Sequence, residues 1–238
     1  MQTSDQGIPE AFNYNMLSVL TPEEIATAQI ITTVYKSKKR YLFIKRLFDI
    51  VLSVTTIILL APLFLVVALA IKLDSKGAVI YTQPRVTKNG RIFKMYKFRS
   101  MCENADRYLQ DLQYLNEKDG PVFKIINDPR VTRVGKFIRR TSIDELPQLL
   151  NIIKGEMTIV GPRPPLISEV EQYTLQQKQR LTVTTGLTCY WQISGRSELT
   201  FDEWVTLDMK YIREQNMRTD IGIIIKTIPV VLLGRGAY

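Results

Sequence analysis

The stretch that decides the fold is IVLSVTTIILLAPLFLVVALAI, residues Ile50–Ile71, which holds no charged side chain. A continuous helix of this length rises ~33 Å, enough to cross the hydrocarbon core of a bilayer. Pro62 stands in the middle of the stretch, where it removes a backbone hydrogen bond and kinks or breaks a helix. Each half would then reach about 18 Å, little more than one leaflet.

Basic residues flank this apolar stretch on both sides. They are Lys36, Lys38, Lys39, Arg40, Lys45 and Arg46 before it, and Lys72, Lys76, Arg85 and Lys88 after it. Basic residues mark the cytoplasmic side of a membrane segment. A hairpin that enters and leaves the membrane by the cytoplasmic face places both basic flanks on that side. We therefore predict a re-entrant helix–break–helix segment. A straight span and a buried core helix are the alternatives.

The apolar stretch divides the chain into three predicted parts. Residues 1–44 form an N-terminal extension with a helix from about residue 22, because TPEE carries an N-cap residue, a proline suited to the first helical position and a capping-box glutamate. Residues 45–75 form the membrane hairpin, and residues 76–238 form a cytosolic domain. The extension lacks the basic start and apolar run of a signal peptide.

Local patterns predict the main elements after the hairpin. Asn89-Gly90 between apolar–polar runs indicates a β-hairpin. Residues 103–120 are predicted as one surface helix ended by a glycine, and a second helix begins between residues 142 and 146 and closes at Gly155. The apolar residues 220–234 lie either in the membrane interface or in the core. The predicted fold class is α+β and mainly helical, with a re-entrant membrane segment, a small β-hairpin and interfacial amphipathic helices.

Charge is unevenly distributed along the chain. The net charge is +9, yet residues 1–35 hold four acidic residues and no Lys or Arg, so the remainder carries +13. This excess indicates an anionic partner: nucleic acid, a phospholipid surface or a phosphorylated substrate. The cysteines, Cys102 and Cys189, form no CxxC motif and no disulfide framework, which favours the cytosol.

An acidic pair, Asp144-Glu145, follows a basic pair and precedes the rigid GPRPP at residues 161–165. One interpretation is structural, because acidic residues in the first turn of a helix complement its dipole. The helix could start with Ser142 as N-cap and Glu145 completing a capping box. It could also start later, with Asp144 as N-cap and Pro147 in the first turn. The other interpretation is chemical. Arginines bind phosphate, Mg2+ binds one or two carboxylates together with substrate phosphates, and a carboxylate can attack phosphorus. This chemistry needs no histidine, and the chain has none.

From about residue 45 to residue 228, the chain resembles the bacterial sugar transferases, specifically the monotopic polyprenol-phosphate hexose-1-phosphate transferases. The resemblance rests on four motifs in order. They are KRLFDI (45–50), YKFRSM (96–101), the run DPRVTRVGKFIRRTSIDELPQLLNIIKGEMTIVGPRPP (128–165) and GLTCYWQISGR (186–196). It implies a helix broken at proline in the bacterial cell membrane, a catalytic domain on the cytoplasmic face, and transfer of sugar 1-phosphate from a UDP-sugar to undecaprenyl phosphate, with release of UMP and use of Mg2+.

The resemblance also implies roles for individual residues. Asp144 would be the nucleophile and a Mg2+ ligand, and Glu145 a proton acceptor or a helper of the metal. The residues implied to hold phosphates or UDP are Arg139, Arg163, Lys97, Arg99 and Arg196. The chain departs from the family in having Ala61 where a serine often precedes the membrane proline, and in lacking a proline before the glycine of TTGLT (184–188).

A rival interpretation is a non-catalytic, membrane-anchored basic adaptor that binds acidic lipid or nucleic acid. It explains the positive charge and the apolar membrane segment, but not the combined presence of the acidic pair, GPRP and SGR. The sequence also contains no recognisable nucleic-acid-binding module. We therefore expect a UDP-sugar, undecaprenyl phosphate and membrane lipid as partners and no nucleic acid, and leave homo-oligomer formation open. GPVFKIINDPRVTR (120–133) resembles members that use glucose or galactose 1-phosphate. Trp191 is predicted to be core. Asp208 and Tyr211 lie one turn apart on a predicted helix, and either a role in the site or structural capping or pairing is open for them.

Overall fold

The computed structural model describes residues 38–108, 111–117, 119–195 and 198–233. It begins with two helices, α1 (Lys39–Leu59) and α2 (Ala61–Asp74), bent by 63° at Leu60. Pro62 is the second residue of α2, a position where a missing N–H costs no helical hydrogen bond. The break therefore comes two residues earlier than predicted, and the predicted helix from residue 22 lies outside the described residues.

The two helices carry a long row of exposed apolar side chains. These are Phe43, Ile44, Leu47, Val51, Val54, Ile58 and Leu59 on α1 and Leu65, Val66, Leu69 and Leu73 on α2. In the described part of the chain no single helix has the length and apolarity of a membrane span, and only this bent pair, taken together, meets those criteria. So large an exposed apolar surface marks an interaction face.

The opposite face of α1 is polar and buried against the rest of the chain. Lys45 pairs with Asp220 at 2.7 Å, and Asp49 accepts hydrogen bonds from the Thr158 hydroxyl at 2.6 Å and the Ile159 N–H at 3.1 Å. The KRLFDI motif thus orients α1 by specific polar contacts, because a buried charge is tolerated only where it is paired.

Two small sheets form the rest of the framework. Strands β1 (Ile80–Val86) and β2 (Ile92–Phe98) pair antiparallel, and Asn89 in their connection has φ 59°, as the predicted Asn-Gly turn requires. Strands β3 (Thr158–Val160) and β4 (Gly186–Thr188) pair parallel.

Seven helices complete the described part. They are α3 (Arg133–Arg140), α4 (Gln148–Lys154), α5 (Ile167–Glu171), α6 (Leu175–Lys178), α7 (Tyr190–Ile193), α8 (Phe201–Glu214) and α9 (Met217–Leu232). Their main core includes Trp191 and Trp204, whose rings lie 4.4 Å apart, so the prediction of Trp191 as core is confirmed. The fold is mainly helical, as predicted.

One predicted element is wrong. The surface helix over residues 103–120 is replaced, in its described parts, by short 3-10 turns at Ala105–Tyr108 and Gln113–Leu115. Just beyond, the side chains of Asn116 and Glu117 accept hydrogen bonds from the backbone N–H groups of Lys124 and Ile126. Such side-chain-to-backbone bonds compete with a helix and close a loop instead.

The C-terminal apolar segment forms α9, which continues through Pro229. Ile223 is buried in the core, whereas Ile225 and Ile228 are exposed. One side of the helix therefore packs in the core, and the other is an exposed apolar surface; the membrane interface stays a prediction.

Candidate active site

The acidic pair lies in a tight turn between α3 and α4. Ser142 adopts a left-handed conformation with φ 54°, and a 3-10 turn, Ile143–Glu145, follows it. Helix α4 then begins at Gln148, with Pro147 in the N-cap position and no capping side chain. The predicted caps at Ser142 and Asp144 are therefore wrong, because both residues precede the helix. The predicted end at Gly155 is confirmed by its φ of 80°.

Asp144 borders a cleft of about 490 Å³. Strand β1 supplies one wall with Tyr81, Gln83 and Arg85, which share a face because strand side chains alternate. Five of the predicted site residues line the same cleft: Asp144, Lys97, Arg99, Arg139 and Arg163. Residues separated by up to 66 positions in sequence thus meet around one carboxylate.

Asp144 is a buried carboxylate of the cleft, with 8% of its surface exposed. Burial raises its pKa to about 6; Lys97 and Arg139 lower the pKa, whereas Glu145 raises it. No hydrogen bond joins this carboxylate to another side chain in the described part of the chain. At neutral pH Asp144 is therefore an ionised and poorly hydrated carboxylate, a combination suited to nucleophilic attack or to binding a cation.

Glu145 is directed differently from its neighbour. Its carboxylate accepts a 2.7 Å hydrogen bond from the Lys97 ammonium, and both side chains are partly exposed. Lys97 therefore acts on both acids: it pairs with Glu145, and its charge stabilises the charged form of Asp144.

Arg163 and Arg139 approach the cleft from two other elements. Arg163 follows β3 in the GPRPP loop and pairs with Glu169 at 3.0 Å. Arg139 lies in the last turn of α3 and also lines a second cavity of about 370 Å³, which it shares with Lys136 and Arg140. The two predicted phosphate-binding arginines thus line the same cleft as Asp144.

Arg99 has a different environment from the other cations. Its guanidinium donates to the carbonyl of Ser75 at 2.8 Å and to the carbonyl of Lys76. These carbonyls belong to the chain that leaves α2, so Arg99 ties the end of the helix pair to the cleft. Arg196, the remaining predicted site residue, lies outside the described residues.

Sequence reasoning missed five charged residues of the cleft: Arg85, Glu103, Asp106, Arg130 and Glu169. The alternation of polar side chains at residues 81, 83 and 85 indicated a polar strand face and could have flagged Arg85. Glu169 had no such signal, because it lies six residues beyond Arg163 on another element.

Two polar residues of α8 make structural contacts, one of the two alternatives that the sequence left open. Asp208 pairs with Arg180 at 2.7 Å in the interior. The Tyr211 hydroxyl lies 2.8 Å from the Val160 carbonyl oxygen and 2.9 Å from an Asp220 carboxylate oxygen.

The donor set at Asp144 limits how a metal ion would bind. In the described ranges there is no cluster of three or more Asp, Glu or Cys side chains that could hold a metal. Mg2+ commonly takes one or two protein carboxylates and fills its shell with phosphate oxygens and water. Asp144 fits this mode as a single ligand, whereas a metal held by protein side chains alone does not fit.

These features define a class: a domain with an exposed apolar helix pair and a cation-lined cleft that contains the buried Asp144 carboxylate. The family model described as bacterial sugar transferase matches residues 40–234, and the chain belongs to that family.

Three relatives show how far the similarity reaches. The exopolysaccharide production protein ExoY of Sinorhizobium fredii is 44% identical over 82% of this chain and 88% of that protein. The undecaprenyl-phosphate galactose phosphotransferase of Salmonella typhimurium is 40% identical over 99% of this chain and 49% of that protein. The UDP-N-acetylgalactosamine-undecaprenyl-phosphate N-acetylgalactosaminephosphotransferase of Aeromonas hydrophila is 39% identical over 83% of this chain and 45% of that protein. The chain spans about half the length of the latter two relatives.

Proposed function

We propose that this protein transfers a hexose 1-phosphate from a UDP-sugar to undecaprenyl phosphate and releases UMP. Glucose or galactose 1-phosphate is the proposed group, and the product would begin the assembly of an exopolysaccharide, capsule or other surface glycan. The single observation that carries the proposal is the buried Asp144 carboxylate in a cleft lined by Lys97, Arg139 and Arg163. The names of the S. typhimurium and S. fredii relatives support it.

In the first step, an Asp144 carboxylate oxygen attacks the β-phosphorus of the UDP-sugar. A new bond forms between that oxygen and phosphorus, and the bond from phosphorus to the oxygen shared with the α-phosphate breaks. The electron pair leaves with UMP, and an aspartyl phosphosugar remains. Burial favours this step because a poorly hydrated carboxylate loses little solvation when it attacks.

The cleft cations offset the repulsion between the carboxylate and the diphosphate. Lys97 lies nearest to the acidic pair, and Arg163 and Arg139 approach from separate elements. Mg2+ bound to Asp144 and to the phosphates would supply further positive charge at the leaving group.

In the second step, a phosphate oxygen of undecaprenyl phosphate attacks the same phosphorus, and the bond to Asp144 breaks. Glu145, held by Lys97, would take the proton when the acceptor phosphate carries one. The acceptor must approach from the side that UMP has vacated, because each displacement is in line. One site therefore serves both substrates in turn, which predicts ping-pong kinetics.

The exposed apolar helix pair supports a membrane location for this chemistry. We propose that α1 and α2 form a re-entrant hairpin in the bacterial cell membrane with the cleft on the cytoplasmic side. Arg99 would hold the cleft at the membrane surface by its bonds to the chain after α2. Lipid and the polyprenyl chain would cover the exposed apolar side chains.

The proposal is tested with the purified full-length chain in nanodiscs that contain undecaprenyl phosphate. UDP-glucose, UDP-galactose and UDP-N-acetylgalactosamine are supplied separately, and UMP, UDP and lipid-linked sugar are measured. We expect UMP and lipid-linked hexose to form from UDP-glucose or UDP-galactose. Asp144→Asn should form neither product, and the exposed control Asp202→Asn should form them at the normal rate. UDP release would indicate ordinary glycosyl transfer, and no reaction with any donor would favour the basic adaptor.

A further inference from the structure

The strongest unassigned feature of the cleft is a buried acid behind two arginines. Glu169 on α5 is 1% exposed, yet its carboxylate contacts Arg163 through three nitrogen–oxygen pairs at 3.0, 3.3 and 3.3 Å. The Leu166 N–H donates to the same carboxylate at 3.0 Å. A carboxylate with this many donors has one orientation, and it restricts the guanidinium that it binds.

Arg85 lies on the other side of the GPRPP loop. Its Nη1 donates to the Pro164 carbonyl at 3.0 Å, and Nε and Nη2 donate to the Gln83 side-chain oxygen at 3.2 and 2.7 Å. The next residue in β1, Val86, donates its N–H to the Pro165 carbonyl at 3.0 Å. The loop that carries Arg163 is thus held by β1 on one side and by Glu169 on the other.

The two guanidinium groups are close enough to repel each other. Burial first and the charge of Arg163 second lower the pKa of Arg85 to about 9, against the opposing effect of Glu169. Arg85 stays charged at neutral pH, so two positive charges converge beside one negative charge. The group has an excess of one positive charge and faces the cleft that contains Asp144.

Arg163 lines the cleft and has N–H donors beyond those that bind Glu169. Its contacts with Glu169 engage Nη1 and Nη2, and 24% of its side chain is exposed. A guanidinium has five N–H donors, so the remaining ones are available to an anion.

We propose that Glu169 is a positioning residue that holds Arg163, together with Arg85, as a preformed clamp for the diphosphate of the nucleotide sugar. The proposal rests on the proposed function and assigns Glu169 no contact with substrate. Preorganisation explains why an acid is placed in a cleft for anions: without it, the two cations would separate, and ordering them would cost free energy at each binding event.

The test compares Glu169→Gln with Glu171→Gln, the same substitution at an exposed position of the same helix. UDP binding is measured by titration calorimetry on the full chain in nanodiscs, and kcat and KM are measured where UMP release is observed. We expect UDP affinity and kcat/KM to fall roughly 10- to 100-fold in Glu169→Gln, because small displacements of positioning groups have effects of this size. Glu171→Gln should match the wild type, and Glu169→Asp should recover part of the loss.

A purely structural role is separated by a double variant. If Glu169 acts through Arg163, then Glu169→Gln combined with Arg163→Gln should bind UDP no more weakly than Arg163→Gln alone. Additive losses, or unchanged UDP affinity in a folded Glu169→Gln protein, would overturn the proposal. If Glu169→Gln does not fold, Glu169→Asp replaces it in the cycle. A wild type that binds UDP but releases no UMP would contradict the proposed function and leave the clamp supported.

Discussion

At the scale of single residues, the chemistry depends on how the cleft sets the charge of Asp144. Burial raises the pKa of this carboxyl to about 6, and the neighbouring Lys97 opposes that rise. Attack on phosphorus requires the ionised form, so the rate of UMP release should increase as the pH rises through about 6. The free-enzyme titration appears in the pH dependence of kcat/KM.

Replacing Lys97 by Met should move this acidic limb to higher pH, because the cation that favours the ionised form is lost. We also expect roughly 10- to 100-fold less UMP release at pH 7, since a charge that stabilises the transition state is removed. Lys94→Met is the control, because Lys94 is exposed on the same strand with its side chain on the opposite face. If the acidic limb of the pH dependence of kcat/KM is unchanged in Lys97→Met, a group other than Asp144 controls that limb.

The same raised pKa predicts that Asp144→Asn stabilises the fold. Between the unfolded pKa, near 3.9, and about 6, the folded state binds more protons than the unfolded state, so the unfolding free energy falls as pH rises through this window. Above it the penalty is complete, and Asn removes up to about 3 kcal/mol of it. Denaturation at pH 7.5 and pH 4 tests this: the gain should appear at pH 7.5 and shrink at pH 4. A less stable Asp144→Asn protein at pH 7.5 would contradict the environment described for this residue.

At the scale of elements, α1 is attached to the domain by buried polar contacts as well as by apolar packing. Asp49 is 3% exposed and accepts hydrogen bonds from Thr158 and Ile159 at the start of β3. Asp49→Ala leaves two buried donors unpaired and should cost roughly 2–4 kcal/mol. Chemical denaturation in detergent measures the loss, with exposed Thr55→Ala as the control. Equal stability of the two variants would mean that α1 is held by apolar contacts alone.

The bend between α1 and α2 predicts the topology of the helix pair. Arg40 and Lys76 lie exposed near its two ends, so Arg40→Cys and Lys76→Cys can be labelled in a chain whose own cysteines are replaced. We expect both sites to be protected from an impermeant reagent in intact cells and labelled after permeabilisation, like the domain control Lys210→Cys. Labelling of one end alone in intact cells would establish a straight span.

At the scale of the whole molecule, the parts predictable from sequence are those that local chemistry determines. The charge-free run with Pro62 predicts a broken helix, Asn89-Gly90 predicts the hairpin, and Gly155 predicts a helix end, each through its own backbone preference. The placement of Asp144 and Glu145 was not predictable, because they lie in a 3-10 turn that follows a left-handed Ser142, a conformation that serine does not signal.

Contacts between distant elements were also beyond the sequence. Arg99 belongs to a motif that suggests substrate binding, yet its guanidinium holds the chain after α2. Glu169 resembles any helix glutamate until the fold places it against Arg163. Tertiary packing decides such roles, since the same charged side chain can pair, cap or bind a ligand.

The central claim is that Asp144 becomes covalently bound to the phosphosugar, and intact-protein mass spectrometry tests it most directly. The purified chain is incubated with UDP-sugar and Mg2+ in the absence of lipid acceptor, then measured whole and after proteolysis. The account predicts a mass gain of one hexosyl phosphate that maps to Asp144, disappears when undecaprenyl phosphate is added, and is absent from Asp144→Asn. A gain that maps to another residue, or UMP release by Asp144→Asn at the wild-type rate, would contradict it.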